Sequence, residues 1–189
     1  MTLPTSTDDL RVRVAHALRD VPDFPKPGIL FKDITPVLAD PHLMREVVAA
    51  MCAPFRDAAI THVVAVESRG FLFGMPMALE LGTAFAPARK PGKLPWHTVR
   101  EEYSLEYRSD VLEMHEDALS LGGAAEGSRR PRVLVVDDVL ATGGTAAATC
   151  RLVERLGGEV QGVAVLVELG FLGGRALMPD RAVSALLTF

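Results

Sequence analysis

Two rhythms divide the apolar positions of this chain. Near its start, Leu10, Val14, Ala17 and Leu18 recur at the three- and four-residue spacing of one helix face. Ser6 or Thr7 can cap that helix, Asp8 and Asp9 fall in its first turn, and Pro22 stops it. A second stripe, Leu43, Met44, Val47, Val48 and Met51, follows Asp40 and Pro41, and proline suits the first helical position. Elsewhere the apolar residues run together. The strings at 62–66, 83–88, 133–136 and 160–169 read as strands, and 133–136 has the length and β-branched content of one covered on both faces. Residues 71–81 are apolar on nearly every side, which predicts a buried helix closed by Gly82. A last helix starts near Thr145, buries Ala148, Leu152 and Leu156, and ends at Gly157 and Gly158.

The remaining segments are mixed. Residues 23–27 are proline-rich, 28–35 read as an extended piece, and 94–110 form a polar, aromatic-bearing excursion from which 111–115 pair back as a strand. A glycine-rich surface loop fills 122–131, and 183–189 form a terminal strand. Strand and helix alternate through the middle, so the fold class is α/β with a mainly parallel, doubly wound central sheet flanked by helices. The N-terminal segment and the terminal strand lie outside that alternation and are expected to form a small cap.

The chain has 189 residues, of which 49% are hydrophobic and 23% charged, enough for one domain spanning 1–189. A net charge of −4 argues against a nucleic-acid or anionic-membrane surface. No apolar run approaches the roughly 18 residues that span a bilayer. The first residues lack the basic start and apolar stretch of a signal peptide, so a cytoplasmic location is expected. Cys52 and Cys150 sit in apolar helical patterns and read as buried thiols, with no metal-ligand spacing around them. His62, His97 and His115 read as structural or exposed.

The run Arg132 to Thr145 carries the most chemistry: an apolar strand, two carboxylates, then a loop of small residues opening a helix. Gly143 and Gly144 let the backbone approach a ligand, and Thr142 and Thr145 add hydroxyls. The helix start presents N–H groups and a positive dipole end, which together favour a phosphate. Asp137 and Asp138 can accept from sugar hydroxyls or face hydrated magnesium. Two adjacent acids at a buried strand end are costly without such a use. In doubly wound sheets ligands bind beyond the carboxyl ends of the strands. Three loops fall there: Glu67-Ser68-Arg69-Gly70 with a guanidinium, Arg89 to Lys93 with three cations, and Asp137 to Thr145 with the cradle and the acids. Together they fit one highly phosphorylated ligand.

Asp137 to Thr145 resembles the 5-phosphoribosyl 1-pyrophosphate (PRPP) motif of the type I phosphoribosyltransferases. The stretch from Phe24 to Pro36 resembles the hood of the adenine-specific members, and Glu67 to Gly74, Arg89 to Pro95 and Tyr103 to Tyr107 are similar to the same branch. The resemblance covers 24–145, and it implies a small hood made of 23–36 and 183–189 and a lid at 94–110. It also implies the reaction: adenine and PRPP give AMP and pyrophosphate, with magnesium (Mg2+) carried by PRPP and no direct metal ligand from the protein beyond water contacts to Asp137 and Asp138. By the same resemblance Ala141, Thr142, Gly143, Gly144 and Thr145 hold the 5′-phosphate, and Asp137 and Asp138 hold the ribose hydroxyls. Ser68 and Arg69 fall on the pyrophosphate loop, which in this family contains a cis peptide, and Arg89 and Lys93 approach the pyrophosphate. Leu30, Phe31 and Lys32 match the base-binding stretch. Glu106 matches the residue near adenine N7, and Tyr107 covers PRPP. Arg69, Lys93 and Glu106 are thus the expected catalytic set, and a homodimer is the expected assembly.

Four features depart from the family pattern, one of them the loop from Gly122 to Pro131, which is longer than usual. Lys32 stands where arginine is common, Glu67 where some members have aspartate, and Arg108 where glycine usually follows the Glu-Tyr pair. Two alternatives remain open at this point: transfer to another purine (xanthine, guanine or hypoxanthine), and a non-catalytic PRPP-binding regulator. Neither nucleic acid nor a membrane is an expected partner.

Overall fold

A computed structural model describes residues 7–105, 108–122 and 130–189, with backbone only at 104, 105, 108 and 109. The chain forms two compact units, 1–50 and 51–189.

In the first unit, α1 (Thr7–Ala17) buries Leu10 and Val14 as their spacing predicts. Residues 19–22 depart from expectation: β1 (Arg19–Pro22) pairs antiparallel with β2 (Leu30–Asp33), Arg19 opposite Asp33 and Pro22 opposite Leu30. Proline lacks an N–H donor, and a two-stranded ribbon is all edge, so Pro22 is tolerated there. A short helix that the sequence reading did not predict, α2 (Thr35–Ala39), follows. The third helix, α3 (Pro41–Cys52), starts where Asp40 places it: its Oδ1 accepts from the N–H groups of His42 and Leu43 at 2.9 and 3.0 Å. This satisfies two of the donors that every helix start leaves open.

The second unit holds the central sheet. Its strands are β3 (His62–Val66), β4 (Ala84–Ala88), β7 (Arg132–Leu140), β8 (Glu159–Glu168) and β9 (Val183–Thr188), in the order β4-β3-β7-β8-β9 and all parallel. Helix α4 (Gly70–Leu81) joins β3 to β4, and α5 (Gly144–Arg155) joins β7 to β8. Between β4 and β7 the chain makes an antiparallel hairpin of β5 (Thr98–Leu105) and β6 (Arg108–His115).

The two faces of the sheet are filled differently. Val64, Val66, Ala86, Ala88, Val133, Val135, Val163 and Val165 pack with Ala148, Leu152 and Val153 of α5. The opposite face takes α4, where a Cβ on Gly74 would come within 2.4 Å of the Ala65 Cβ, so that helix and strand touch through glycine. Helices on both faces explain why β3 is buried at all five positions. Cys52 and Cys150 are buried free thiols, and burial pushes both up to about 11. No helix among the described residues is long and apolar enough to cross a membrane.

Three expectations need correction. The terminal strand does not join a cap: β9 is the fifth strand of the central sheet, with Val163 opposite Val183 and Glu168 opposite Thr188. The 94–110 excursion is mostly ordered hairpin, and Tyr103 within it is buried. Helix α4 is not buried all round, because Leu72, Met75 and Leu79 are 45, 45 and 76% exposed along one face.

Candidate active site

The chain leaves β3 toward β4 on one side and leaves β7 toward β8 on the other. The carboxyl ends of β3 and β7 therefore form the switch point where doubly wound sheets bind ligands. A cleft of about 550 Å3 opens there, with Val66 to Arg69 on one side and Asp137 to Val139, Ala141 and Thr145 on the other. Lys90 and the hairpin residues Tyr103, Asp110 and Leu112 complete its lining.

The anion end is the start of α5. Gly143 precedes the helix with φ +85°, a left-handed conformation that favours glycine, and no side chain caps the helix. The first N–H groups of this three-turn helix thus face the loop without an intrahelical partner. Thr145 points its hydroxyl across the cleft, where Oγ1 donates to the Tyr103 Oη at 3.3 Å. Burial pushes the Tyr103 phenol up, so it stays protonated there.

The two acids lie within β7 rather than after it. The strand continues because Asp137, Val139 and Leu140 pair with Val165, Val167 and Glu168. Asp138 is buried, and its Oδ2 lies 2.8 Å from the Arg69 Nε. The Asp138 N–H donates to the Asp137 Oδ1 at 2.9 Å. Burial raises both carboxyls. The neighbouring Asp138 charge pushes Asp137 further up, whereas Arg69 partly offsets the rise at Asp138. Gly70 brings α4 against them, since a Cβ there would meet the Asp137 Oδ1 and Val136 carbonyl oxygen at 3.0 Å. The start of a second helix therefore also points at the acids.

On the β3 side the Glu67–Ser68 peptide is cis. Glu67 is held by Arg89, whose Nε donates to Oε2 at 3.0 Å, and by the Lys90 N–H at 3.1 Å. Burial pushes Glu67 up, but Arg89 and that N–H outweigh it and leave the carboxyl below its ordinary value. The Arg89 Nη1 also donates to the Lys93 carbonyl at 3.1 Å. Of the expected pyrophosphate cations, then, Arg69 lines the cleft while Arg89 and Lys93 do not. Lys90 lines it instead, 3.3 Å from the Asp110 carboxylate.

The hairpin is tied down at its base. Glu101 accepts from Arg151 at 2.5 Å and Arg155 at 3.1 Å, both on α5. Buried Glu113 accepts from the Gly92 N–H at 3.2 Å and pairs with Arg100 at 2.6 Å. Tyr103 and Asp110 face each other across the two strands. Glu106 and Tyr107 lie outside the described residues.

Leu30, Phe31 and Lys32 are on β2 in the first unit. Leu30 is half exposed, the Phe31 ring meets Phe24 edge-on at 5.1 Å, and Lys32 donates to Asp20 at 2.6 Å.

Sequence reasoning gives Lys90, Tyr103 and Asp110 no individual role, although the first belongs to the cation cluster of 89–93 and the second opens the 103–107 match. A signal existed for the first: carried past β4, strand alternation puts Lys90 on the same side as Ala86 and Ala88, and Arg89 on the other. Among the described residues no three His, Cys, Asp or Glu side chains gather into a metal cage. Asp138 faces Arg69, and Asp137 accepts from the backbone. Asp137 and Asp138 are the carboxylates in the cleft that a hydrated ion could reach.

Residues 37–183 match the phosphoribosyl transferase domain family. The chain is 60% identical over 188 residues to the adenine phosphoribosyltransferase of Myxococcus xanthus (strain DK1622), covering 99% of this chain and 98% of that one. Its fold is similar to the crystal structure of adenine phosphoribosyltransferase from Rhodothermus marinus DSM 4252, with a TM-score of 0.87 and 49% identity over 96% of this chain and 99% of that one. It is also similar to the Saccharomyces cerevisiae adenine phosphoribosyltransferase complexed with D-2,5-dideoxy-2,5-imino-altritol 1,6-bisphosphate and adenine. There the TM-score is 0.85 and the identity 36%, over 95% and 99% of the two chains.

Proposed function

The chain belongs to the phosphoribosyl transferase family, within the adenine phosphoribosyltransferases, and on that premise we propose that it transfers the phosphoribosyl group of PRPP to adenine, giving AMP and pyrophosphate. One observation carries the reading: an uncapped helix start and the adjacent acids Asp137 and Asp138, the second of them buried, share one cleft with Arg69 and Lys90. That cleft offers a phosphate cradle, acceptors for sugar hydroxyls and cations for a leaving diphosphate.

Each group has work that its surroundings suit. The N–H groups of Gly144 and Thr145 bind the 5′-phosphate beside the Thr142 and Thr145 hydroxyls. Asp137 and Asp138 accept from the ribose hydroxyls, and the strong charge-assisted bonds offset the burial of the acids. As the bond from C1′ to pyrophosphate breaks, positive charge grows on the sugar and negative charge on the leaving oxygens. Arg69 and Lys90 face those oxygens, and fixed charges aimed at developing charge are often the largest catalytic term. Magnesium bound with PRPP would neutralise part of the same diphosphate charge, with Asp137 and Asp138 reaching it through water. On β2, Leu30 and Phe31 supply an apolar wall for adenine and backbone groups that can read its edge. Glu106 handles the proton at adenine N7, a role worth roughly 10²–10⁴-fold, and Tyr107 covers PRPP.

The working assembly is a homodimer in the cytoplasm. The outward face of α4 supports the first part, because Leu72, Met75 and Leu79 form an apolar stripe at helical spacing that a second copy would cover.

AMP formation tests the reading directly. The purified chain, adenine and PRPP should give AMP and pyrophosphate with magnesium, and far less once it is chelated. Guanine, hypoxanthine and xanthine should turn over more slowly at equal concentration. Faster turnover of guanine would overturn the choice of base. A Glu106→Ala variant with unchanged kcat would overturn the proton-transfer role.

A further inference from the structure

We propose that Gly174 and the Glu168–Arg175 ion pair brace the phosphate loop from behind, making them positioning residues for phosphate binding. The inference rests on the reading of Ala141 to Thr145 as the 5′-phosphate cradle.

The brace begins with a contact between two backbones. A Cβ on Gly174 would lie 2.3 Å from the Ala141 carbonyl oxygen and 3.0 Å from the Gly143 nitrogen. In the reverse direction, a Cβ on Gly143 would lie 2.2 Å from the Gly174 carbonyl oxygen. Both distances are below any real carbon contact, so the loop and the 174 backbone interlock only because neither residue has a side chain. Gly143 is also the residue that turns the chain into α5. Its amide and those after it point where Gly174 allows.

The next residue anchors the 174 backbone. Arg175 grips Glu168 with two hydrogen bonds, Nε to Oε1 and Nη2 to Oε2, both 2.6 Å, and its Nη1 donates to the Val183 carbonyl at 2.7 Å. This planar two-point pairing fixes direction as well as distance. Glu168 is buried at the end of β8 and is held below its ordinary value chiefly by Arg175. Its β7 neighbour is Leu140, the residue just before the loop. The Leu169 N–H donates to the Leu140 carbonyl at 2.9 Å, and the Phe189 N–H to that of Glu168 at 2.9 Å. The strand that starts the loop is thus tied to the end of β8 through backbone bonds, and the turn that backs the loop is tied to the same strand end through the Glu168 carboxylate. Neither Glu168 nor Arg175 lines the cleft.

The test uses the full chain and the variants Gly174→Ala, Arg175→Ala and Arg175→Lys. Calorimetry with ribose 5-phosphate reads the cradle without requiring turnover. Gly174→Ala and Arg175→Ala should weaken that binding by about ten- to a hundred-fold, the scale expected when a binding group moves by an ångström. Arg175→Lys should recover part of the loss. In steady state the KM for PRPP should rise while that for adenine stays within about twofold, a split that general loss of structure would not give. Gly157→Ala is the control: Gly157 has φ +81° with nothing within 4 Å, so its strain should lower Tm and leave phosphate affinity alone. Unchanged ribose 5-phosphate affinity in both Gly174→Ala and Arg175→Ala overturns the brace. If the unaltered chain makes no AMP, the assigned reaction fails instead, and the calorimetric comparison still decides the brace.

Discussion

The Arg69 Nε lies 2.8 Å from the Asp138 Oδ2, joining the loop after β3 to the acid pair of β7 across the switch point of the sheet. Asp138 is 4% exposed, while the Arg69 side chain is 43% exposed. Arg69 can therefore face a ligand and still offset the burial of Asp138. Arg69→Ala removes both effects. We expect kcat/KM for PRPP to fall by about 10²–10³-fold, as on loss of one preorganised donor. Stability should drop by only about 1 kcal/mol, because the cation is partly exposed to water. Steady-state kinetics and thermal melts on the same preparation check both figures. A fall in Tm with kinetics unchanged would remove Arg69 from the diphosphate site.

Asp137 should show a conflict between function and stability. Its carboxyl is raised in the folded chain by burial and by Asp138. The folded state thus holds that proton more tightly than the unfolded chain, whose aspartates titrate near pH ~3.9. Stability accordingly falls as pH rises from that value through the raised one, and above it the full penalty persists. Asp137→Asn removes the charge but keeps an oxygen that can accept from the Asp138 N–H. At neutral pH it should raise stability by about 1–2 kcal/mol, or roughly 2–8 °C in a domain of this size. In acid the gain should vanish. The same change weakens the hold on ribose, so kcat/KM should fall by at least about tenfold. Melts across pH, set beside kinetics at neutral pH, read both. A variant less stable than the parent at neutral pH would refute the assigned penalty.

What was legible in the chain, and what was not, follows the physics of each element. β3 and the apolar part of β7 are continuous β-branched runs because parallel strands with helices on both faces leave no polar side. The cradle was legible because Gly143 and Gly144 follow the acids at once. β9 was legible as a strand but its place was not, since its position beside β8 is a long-range pairing. β1 escaped because four residues ending in Pro22 look like the tail of α1. The exposed face of α4 was misread, as Leu72, Met75 and Leu79 are as apolar as the residues that face the sheet. Among the expected site residues, Ser68, Arg69, Asp137, Asp138, Ala141 and Thr145 line the one cleft. Lys90 in place of Arg89 and Lys93 depended on Glu67 drawing Arg89 aside, a contact between segments 22 residues apart.

The contact of α4 with the sheet sets a limit on volume. A Cβ on Gly74 would lie 2.4 Å from the Ala65 Cβ and 3.2 Å from the Phe85 ring. Gly74→Ala must push the helix off β3, and overpacking of this kind costs about 1–3 kcal/mol. Helix propensity favours alanine by up to about 1 kcal/mol and offsets part of that. The expected outcome is a lower denaturation midpoint with the KM values for both substrates retained. A midpoint at or above the parent's would mean that α4 and β3 are less tightly packed than the Gly74 contact requires.

The outer face of the same helix should decide the state of assembly. Leu72, Met75 and Leu79 project from one side of α4, and Leu79 is 76% exposed. Covering such a stripe returns about 25 cal/mol for each Å2 of apolar surface removed from water. If a second copy covers it, the unaltered chain should sediment at twice its 20.3 kDa. Leu79→Glu places a charge on the most exposed residue of the covered stripe, and a buried unpaired carboxylate is costly enough to open a modest interface. Sedimentation of this variant should then give about 20.3 kDa at concentrations where the parent stays paired. Phe171, also 76% exposed but on the short turn after β8, offers a rival surface. If Phe171→Glu separates the copies while Leu79→Glu does not, the contact belongs to that turn and the α4 assignment fails.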